Sequence, residues 1–407
     1  MQFKIPTSVI TRPVYLNKVV PFIDKNLIKV FTGQRRVGKS YLLFQIMHYL
    51  LEREASTSIV YINKEDLAFS FIQTAEDLQD YVLAQKSSVA KTYVFIDEIQ
   101  EVVNFELALR SLLLHEDLDL YCTGSNAQLL SGDIAGVLSG RAIELPVYSL
   151  SYSEFLEFHK LEDSYKALEL YMKYGGLPYL KNLALEDAIV FEYLKNIYNT
   201  IVYRDIIHRF SIRNVVFLEQ LTLFLASNIG SLFSAKKISD FLKSQQVKIA
   251  SNQVQVYTSN LESAFLIHRV SLYDLVGKRV FEIVEKYYFE NLGIRNALWG
   301  YRFDDRGKLI ENMVYNHLLF LGYQVQVGSL GALEIDFIGE RAGEKIYVQV
   351  ALSINDTATL EREFGNLLKI SDNYTKIVVT LDAFKGNTYE GIVTLDLRSF
   401  LLRRDLI

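Results

Sequence analysis

The chain has little of what fixes a fold from outside its core: its 407 residues include one cysteine, one tryptophan and five prolines. A single cysteine, Cys122, excludes an intramolecular disulfide and a cysteine-rich zinc site. It follows Leu120 and Tyr121 in an apolar stretch, which predicts packing rather than reactivity. No apolar run approaches the roughly 18 uninterrupted residues of a membrane span; the run at 215–218 is broken by Glu219 and Gln220. Residues 1–6 show no charged-then-apolar leader, so the expectation is a cytoplasmic protein with no membrane partner. The formal charge of −5 gives no overall signal for nucleic acid, although a basic surface can sit inside an acidic total. Apolar residues are abundant: 50% of the chain is hydrophobic and 13% aromatic, which argues for ordered domains. The length allows about two to four of them. No Ser/Gly-rich or repetitive stretch separates them, so boundaries must come from changes of pattern.

The most specific pattern is Gly33, Gln34, Arg35, Arg36, Val37, Gly38, Lys39 and Ser40, which fills every fixed position of the phosphate-binding P-loop. The four fixed letters arise by chance in about one chain in a hundred of this length. Here residues 27–32 read as an apolar strand and residues from Tyr41 onward as a helix, the setting such a loop needs. Backbone N–H groups of the loop and of the first helical turn then point at an anion, and the helix dipole favours negative charge. Lys39 would reach the β- and γ-phosphates of a nucleoside triphosphate, and the Ser40 hydroxyl would ligate Mg²⁺. The side chains of Arg35 and Arg36 are expected to point to solvent. The alternative is a glycine-rich turn without ligand.

A second apolar strand is expected at 58–63 and a third at 92–97, ending in the acids Asp97 and Glu98. Placed one β-α-β-α unit after a P-loop, this is a Walker B arrangement: Asp97 for Mg²⁺, Glu98 to orient and activate the attacking water. A fourth strand, 118–123, runs into Gly124, Ser125 and Asn126. Ser125 and Asn126 are candidate γ-phosphate sensors, or simply good turn residues. Arg141, before a last strand at 142–145, could neutralise transition-state charge from its own or a neighbouring subunit, or form a surface ion pair.

These stretches, together with Leu138-Ser-Gly-Arg141, residues 149–155 and Tyr174-Gly-Gly-Leu-Pro178, resemble a prokaryotic AAA-type ATPase family with a conserved C-terminal domain of unknown function. The resemblance extends over essentially the whole chain. It implies an ASCE-type P-loop fold, with the catalytic-acid strand between the P-loop strand and others, and ATP as the nucleotide.

From about 152 to 226 apolar residues recur at three and four spacings, which predicts a helical lid. Gly175, Gly176 and Pro178 break it, Pro178 opening the next helix. Arg204, in a stretch that resembles a family motif, is either a nucleotide contact from the lid or the partner of Asp205. Residues 230–290 then read helix, turn, helix and two strands, a winged helix. On DNA, Asn252, Gln253, Gln255 and Asn260 would face base edges, with Lys236, Lys237, Lys248, Lys278 and Arg279 on phosphates. Nine Lys/Arg against six Asp/Glu between 230 and 295 favour such a surface, although winged helices also serve as packing modules.

From 307 onward a helix, three strands, a helix and a strand resemble the restriction-endonuclease-like fold. Its active site joins a strand Asp, an acid-x-Lys on the next strand and often a helix acid. Asp336 and Glu311 stand in two of these places, but the acid-x-Lys positions hold Gln349 and Ala351. The expectation is a retained fold whose nuclease chemistry is lost.

The architecture expected is α/β: a P-loop NTPase (AAA-like) domain at 1–150, a helical lid at 151–228, a winged helix at 229–300 and a restriction-endonuclease-like domain at 301–407. The functional expectation is an ATPase acting as a nucleotide-dependent switch. Its cofactors are ATP and Mg²⁺. Candidate partners are DNA through 234–290, a protein, or further copies of the chain. The alternatives are an ATP-gated nuclease and a scaffold that holds ATP without turnover. The phosphate site comprises residues 33–41, including Tyr41. Glu98, Lys39, Asn126 and Arg141 are the candidate catalytic residues, and Ser40 and Asp97 the candidate metal ligands.

Overall fold

All five residues of Ile28–Thr32 are buried, as a strand covered on both faces requires. In the computed structural model this strand, β1, joins four others: β2 (Ser58–Asn63), β3 (Thr92–Asp97), β4 (Leu118–Gly124) and β5 (Ala142–Pro146). The structure describes residues 5–6, 8–130, 132–244, 249–277, 279–354, 357–381 and 388–406, without the side chains at 130, 132–133, 135, 279–283 and 357–361. The chain divides into two compact units, Met1–Tyr148 with Ser263–Phe265, and Ser149–Glu262 with Leu266–Ile407.

In the first unit every strand pairing is parallel and the order is β2-β3-β4-β1-β5. The acid-bearing β3 therefore does not touch β1; β4 lies between them. One face of the sheet buries Val30, Ile62, Ile96 and Cys122 with apolar residues of the helices Ala75–Gln85 and Phe105–Leu112. Each such aliphatic side chain contributes about 1.5–3 kcal/mol by leaving water. Burial pushes the Cys122 thiol up to about 12, which makes it inert. On the other face Phe95 and Tyr121 stack with ring centroids 4.6 Å apart.

An ion pair interrupts this apolar sheet. Lys29, fully buried on β1, bonds its ammonium to the Asp119 carboxylate on β4 and to the Lys25 carbonyl at 3.0 Å. Asp119 also accepts the Tyr121 hydroxyl at 2.8 Å and the Asp24 N–H at 2.9 Å. Burial lowers the Lys29 pKa, and Asp119 opposes that shift. An ammonium taken out of water is tolerated only when it is paired and hydrogen-bonded.

The second unit begins with the helix Tyr152–His159, opened by a capping box between Ser151 and Glu154. Helices Tyr165–Tyr174, Asp187–Thr200 and Val215–Ser227 follow, with a π-helical segment at Ile201–His208. Leu292–Trp299 packs against all three of those helices. Helices Ala235–Ser244 and Ser251–Ser263 precede β6 (Ile267–Asp274) and β7 (Arg279–Phe289). The helix Arg306–Phe320 leads to β8 (Gln324–Leu330), β9 (Leu333–Arg341) and β10 (Glu344–Ala351), and then to β11 (Thr375–Thr380), β12 (Thr388–Tyr389) and β13 (Ile392–Asp396).

These eight strands form one mixed sheet, β12-β13-β11-β10-β9-β8-β6-β7. The wing hairpin β6-β7 is antiparallel, as expected, but β6 also pairs in parallel with β8 from Leu272 to Asp274. A domain boundary at residue 300 would therefore cut across a hydrogen-bonded sheet. Residues 229–300 are not a separate body: their strands belong to the C-terminal sheet and their last helix to the preceding helices. Periodicity reports each strand but not a partner as far along the chain as Val327 is from Leu272, which is why local pattern missed this.

Replacing Asp119 by Ala would leave the Lys29 ammonium buried and unpaired, at an expected cost of about 3–5 kcal/mol in urea unfolding. The paired change Lys29→Met with Asp119→Leu should cost much less. Equal losses in the two variants would show that the pair does not carry this role.

Candidate functional site

The loop between β1 and the helix Lys39–Arg53 turns on two glycines with positive φ, Gly33 at 149° and Gly38 at 99°. At Gly33 a Cβ would lie 2.1 Å from the Val147 carbonyl oxygen, so only glycine fits. Lys39 is 4% exposed and donates to the carbonyls of Gly33 at 2.9 Å and Gln34 at 3.0 Å. Its ammonium is thus held over the loop by the loop's own backbone. Ser40 follows directly and hydrogen-bonds Asp97. The P-loop serine and the Walker B aspartate meet, as two ligands of one Mg²⁺ would.

Asp97 closes β3 and is 3% exposed. Burial raises its pKa; hydrogen bonds from Ser40 and Thr123 oppose the shift, Glu98 adds to it, and Lys39 works against it. Glu98 is 7% exposed and sits in a left-handed conformation, φ 57° and ψ 54°. For a residue with a Cβ this costs roughly 1–2 kcal/mol. The twist is held by the Glu98 N–H, which donates to the Thr123 hydroxyl at 2.9 Å. Burial would push the Glu98 carboxyl up. Lys39, Arg35 and hydrogen bonds from Gln100 and Ser125 outweigh burial and hold it below the usual range. The Ser125 hydroxyl donates to Glu98 Oε2 at 3.0 Å, and the Gln100 amide donates to the same oxygen. Glu98 is therefore a buried carboxylate kept ionised, the form a general base needs.

Ser125 thus touches the acid itself, whereas Asn126 Oδ1 accepts the Gln128 N–H at 2.8 Å and makes a turn. Arg141 is exposed, and its guanidinium rests on the carbonyls of Val137 and Ser139 at 3.4 and 3.5 Å. Arg36 and Tyr41 are exposed, and Val37 is fully buried. Arg35 departs from expectation: it is 7% exposed and pairs with Glu65 at 3.1 Å instead of pointing to solvent. The reason is the fold of the loop, which a repeated Arg-Arg does not announce: Arg36 takes a left-handed φ of 71° and faces out, while Arg35 is folded in.

Several contacts of the site escaped sequence reasoning. The Arg12 guanidinium donates to the carbonyls of Val37 and Tyr148, both at 3.1 Å, and its backbone N–H to Gln45 Oε1 at 3.0 Å, bracing the loop. Gln34 is 1% exposed and donates from Nε2 to the Phe265 carbonyl at 2.9 Å. Nothing local signals either contact. Thr123 and Gln100 were findable, because one ends the strand beside β3 and the other lies two residues beyond Glu98.

In the second unit Lys286 on β7 is 2% exposed, and its ammonium lies 2.8 Å from Glu311, 2.6 Å from Glu334 and 3.8 Å from Asp336. Burial would lower its pKa, but Glu311, Asp336 and Glu334 together raise it. Asp336 accepts the Val350 N–H at 2.8 Å; burial, and then Glu311, push its pKa well up against the pull of Lys286. Gln349 Oε1 accepts the Asp336 N–H at 3.3 Å. Position 351 holds no lysine, yet an ammonium reaches the carboxylates from another strand. Among the described residues no group of three or more His, Cys, Asp or Glu side chains is arranged to hold a metal ion.

On the helix Ser251–Ser263, Asn252, Gln253 and Gln255 are exposed, as are Lys236 and Lys237 on the helix before it. Asn260 is 7% exposed and faces inward, so it reads no base edge. Lys248, Lys278 and the Arg279 side chain lie outside the described residues. No helix among the described residues is long and apolar enough to cross a membrane.

Residues 25–156 match the family model of the AAA domain. Residues 165–305 match a domain of unknown function, DUF8612, which runs through both the expected lid and the expected winged helix. An uncharacterised protein of Haemophilus influenzae is 36% identical over 402 residues, 97% of this chain and 99% of its own length. One of Methanocaldococcus jannaschii is 30% identical over 378 residues, 88% of this chain and 80% of its own. Among solved structures, a Walker-type ATPase of Pyrococcus abyssi superposes with a TM-score of 0.50 at 16% identity, over 72% of this chain and 96% of that one, a likeness of fold.

Proposed function

Because the chain belongs to one family with these Haemophilus influenzae and Methanocaldococcus jannaschii proteins and carries an AAA domain, we propose that it binds ATP with Mg²⁺ and hydrolyses it. One observation carries this reading: Lys39, Ser40, Asp97 and an ionised Glu98 meet at the carboxyl edge of a single parallel sheet. Lys39 and the loop N–H groups would bind the phosphates, and Ser40 and Asp97 would hold the metal. When bound, Mg²⁺ neutralises charge on the phosphate oxygens. Glu98 takes a proton from water as the water oxygen attacks the γ-phosphorus. The bond from that phosphorus to the bridging oxygen breaks, releasing ADP and phosphate. Ser125 and Gln100 aim the Glu98 carboxylate. Arg141, at the surface, suits a contribution to a neighbouring subunit.

The wider role is a cytoplasmic nucleotide-dependent switch that contacts DNA. Exposed Asn252, Gln253 and Gln255 on one helix, with exposed Lys236 and Lys237 on the helix before it, support the DNA contact. A second reading, an ATP-gated nuclease, is favoured by one observation: the Lys286 ammonium among Glu311, Glu334 and Asp336 supplies the positive charge that Ala351 lacks. It ranks second because Gln349 replaces a carboxylate where a metal ligand is needed.

Glu98→Gln should lower kcat by at least about 100-fold while ATP still binds, as expected for loss of a general base. Unchanged turnover would sink the assignment, and an ATPase-silent wild type that holds ATP would favour the scaffold instead. The hydrogen bond from Gln100 helps to keep Glu98 ionised, so Gln100→Ala raises its pKa. The acidic limb of the kcat–pH profile should then move to higher pH. Duplex DNA tests both extensions: binding that weakens steeply with salt and changes between ADP and ATP supports the switch. Mg²⁺-dependent cleavage that disappears in both Asp336→Ala and Lys286→Met would replace it with the nuclease.

A further inference from the structure

Arg35 is a charged side chain folded into the phosphate loop and almost fully buried there. Its partner Glu65 is on the far side of the site. Arg35 belongs to the loop after β1, Glu65 to the loop after β2, and the sheet order places β4 and β3 between those strands. Adjacent strands lie about 4.8 Å apart, so β1 and β2 are separated by roughly 14 Å. An arginine that starts beyond β1 and meets a carboxylate beyond β2 must lie across the carboxyl ends of β4 and β3. Those ends are Thr123, Gly124 and Ser125 on one strand and Asp97 and Glu98 on the other.

The loop after β2 is fixed in that place. The Lys64 N–H donates to the Asp97 carbonyl at 3.2 Å, and the Glu65 N–H donates to Asn63 Oδ1 at 2.9 Å. Glu65 therefore stands immediately beyond the Walker B acids. Lys39 is held over the same loop by the carbonyls of Gly33 and Gln34. Arg35 and Lys39 thus place two cations on the loop that would cradle the γ-phosphate.

We propose that Arg35 is a catalytic residue of this site, a γ-phosphate arginine supplied in cis by the P-loop itself, and that Glu65 is the counter-ion it exchanges for the γ-phosphate. The inference rests on the ATPase reading above and adds a residue to it. Glu65 is 47% exposed in its side chain, so releasing the guanidinium leaves a carboxylate that water can solvate. Arg35, at 8%, is poorly solvated, so an incoming anion suits it better than water does. A triphosphate supplies that anion, and a diphosphate supplies it less well. In the transition state the transferring phosphoryl group spreads negative charge over its three equatorial oxygens, and a fixed guanidinium beside them stabilises that charge. Arg35 neither gives nor takes the proton, which passes from water to Glu98. Arg141, exposed and resting on backbone carbonyls, is then not required for this task within its own chain.

The test uses the full chain in four forms: wild type, Arg35→Ala, Arg35→Lys and Glu65→Gln. Turnover is measured beside the affinities for ADP and for a non-hydrolysable ATP analogue with Mg²⁺. Arg35→Ala should lower kcat by about 100-fold or more, the scale of one lost charge-stabilising donor. It should also lower the preference for the ATP analogue over ADP, while ADP affinity stays within a few-fold. Arg35→Lys keeps the charge but not the planar fork and should fall between. Glu65→Gln removes that counter-charge and should strengthen binding of the analogue without strengthening ADP.

A wild type that hydrolyses ATP alongside an Arg35→Ala of equal kcat and unchanged preference overturns the inference and leaves the ATPase reading standing. Equal loss of both nucleotides in Arg35→Ala also overturns it, because Arg35 then only shapes the loop. Turnover restored by mixing Arg35→Ala with Glu98→Gln overturns the cis assignment. A wild type that binds neither nucleotide overturns both readings. If the wild type binds but does not turn over, the ATPase reading fails and the affinity ratio alone decides Arg35.

Discussion

Two buried carboxylates at the end of one strand set the terms for the first unit. Asp97 and Glu98 are adjacent and nearly inaccessible to water, and at such a place two negative charges raise one another's pKa. Everything around them answers that problem. Lys39 and Arg35 bring positive charge from the phosphate loop, and Ser40 and Thr123 bring hydroxyls to Asp97. Ser125 and Gln100 bring donors to Glu98. The outcome is unequal: the pKa of Asp97 is raised and that of Glu98 lowered, so neighbouring carboxylates sit in divergent environments.

The second unit meets the same problem with the opposite economy of parts. Glu311, Glu334 and Asp336 converge on a single ammonium, Lys286, carried by a strand more than 20 residues upstream in the chain. The Tyr288 hydroxyl adds a donor to Glu311 at 2.6 Å. One cation there bonds the wing hairpin to the helix and hairpin of the C-terminal region. That link follows the pairing of β6 with β8, which merges the two regions in one sheet.

Legibility in the sequence followed the range of the interaction. The five strands of the first unit, the loop and the acids were readable, because each is a local pattern with a period or a fixed spacing. The β9–β10 hairpin was readable for the same reason. The inward turn of Arg35 was not, since it depends on a carboxylate 30 residues away. Arg12, which braces Val37 and Tyr148, carries no local mark. Lys286 was invisible because the expected motif runs along β10, whereas the ammonium comes from β7, separated from β9 in the sheet by β8 and β6. Asn260 looked like a base reader by composition, and only the packed face of its helix shows that it turns inward. Asn126 had two open readings, and the Gln128 N–H shows which hydrogen bond it makes.

Gln34 has a consequence for how the molecule is made. Its amide is bonded to the carbonyl of Phe265, a residue 231 positions later, and Ser263–Phe265 belongs to the same compact unit as the phosphate loop. A ribosome adding roughly 5–20 residues per second needs on the order of 10–50 s to cover that interval. Through all of it the nascent loop has its glycines, its lysine and its acids but not the partner of Gln34. The nucleotide-binding unit is therefore completed late, only after residues 149–262 of the other unit have been synthesised.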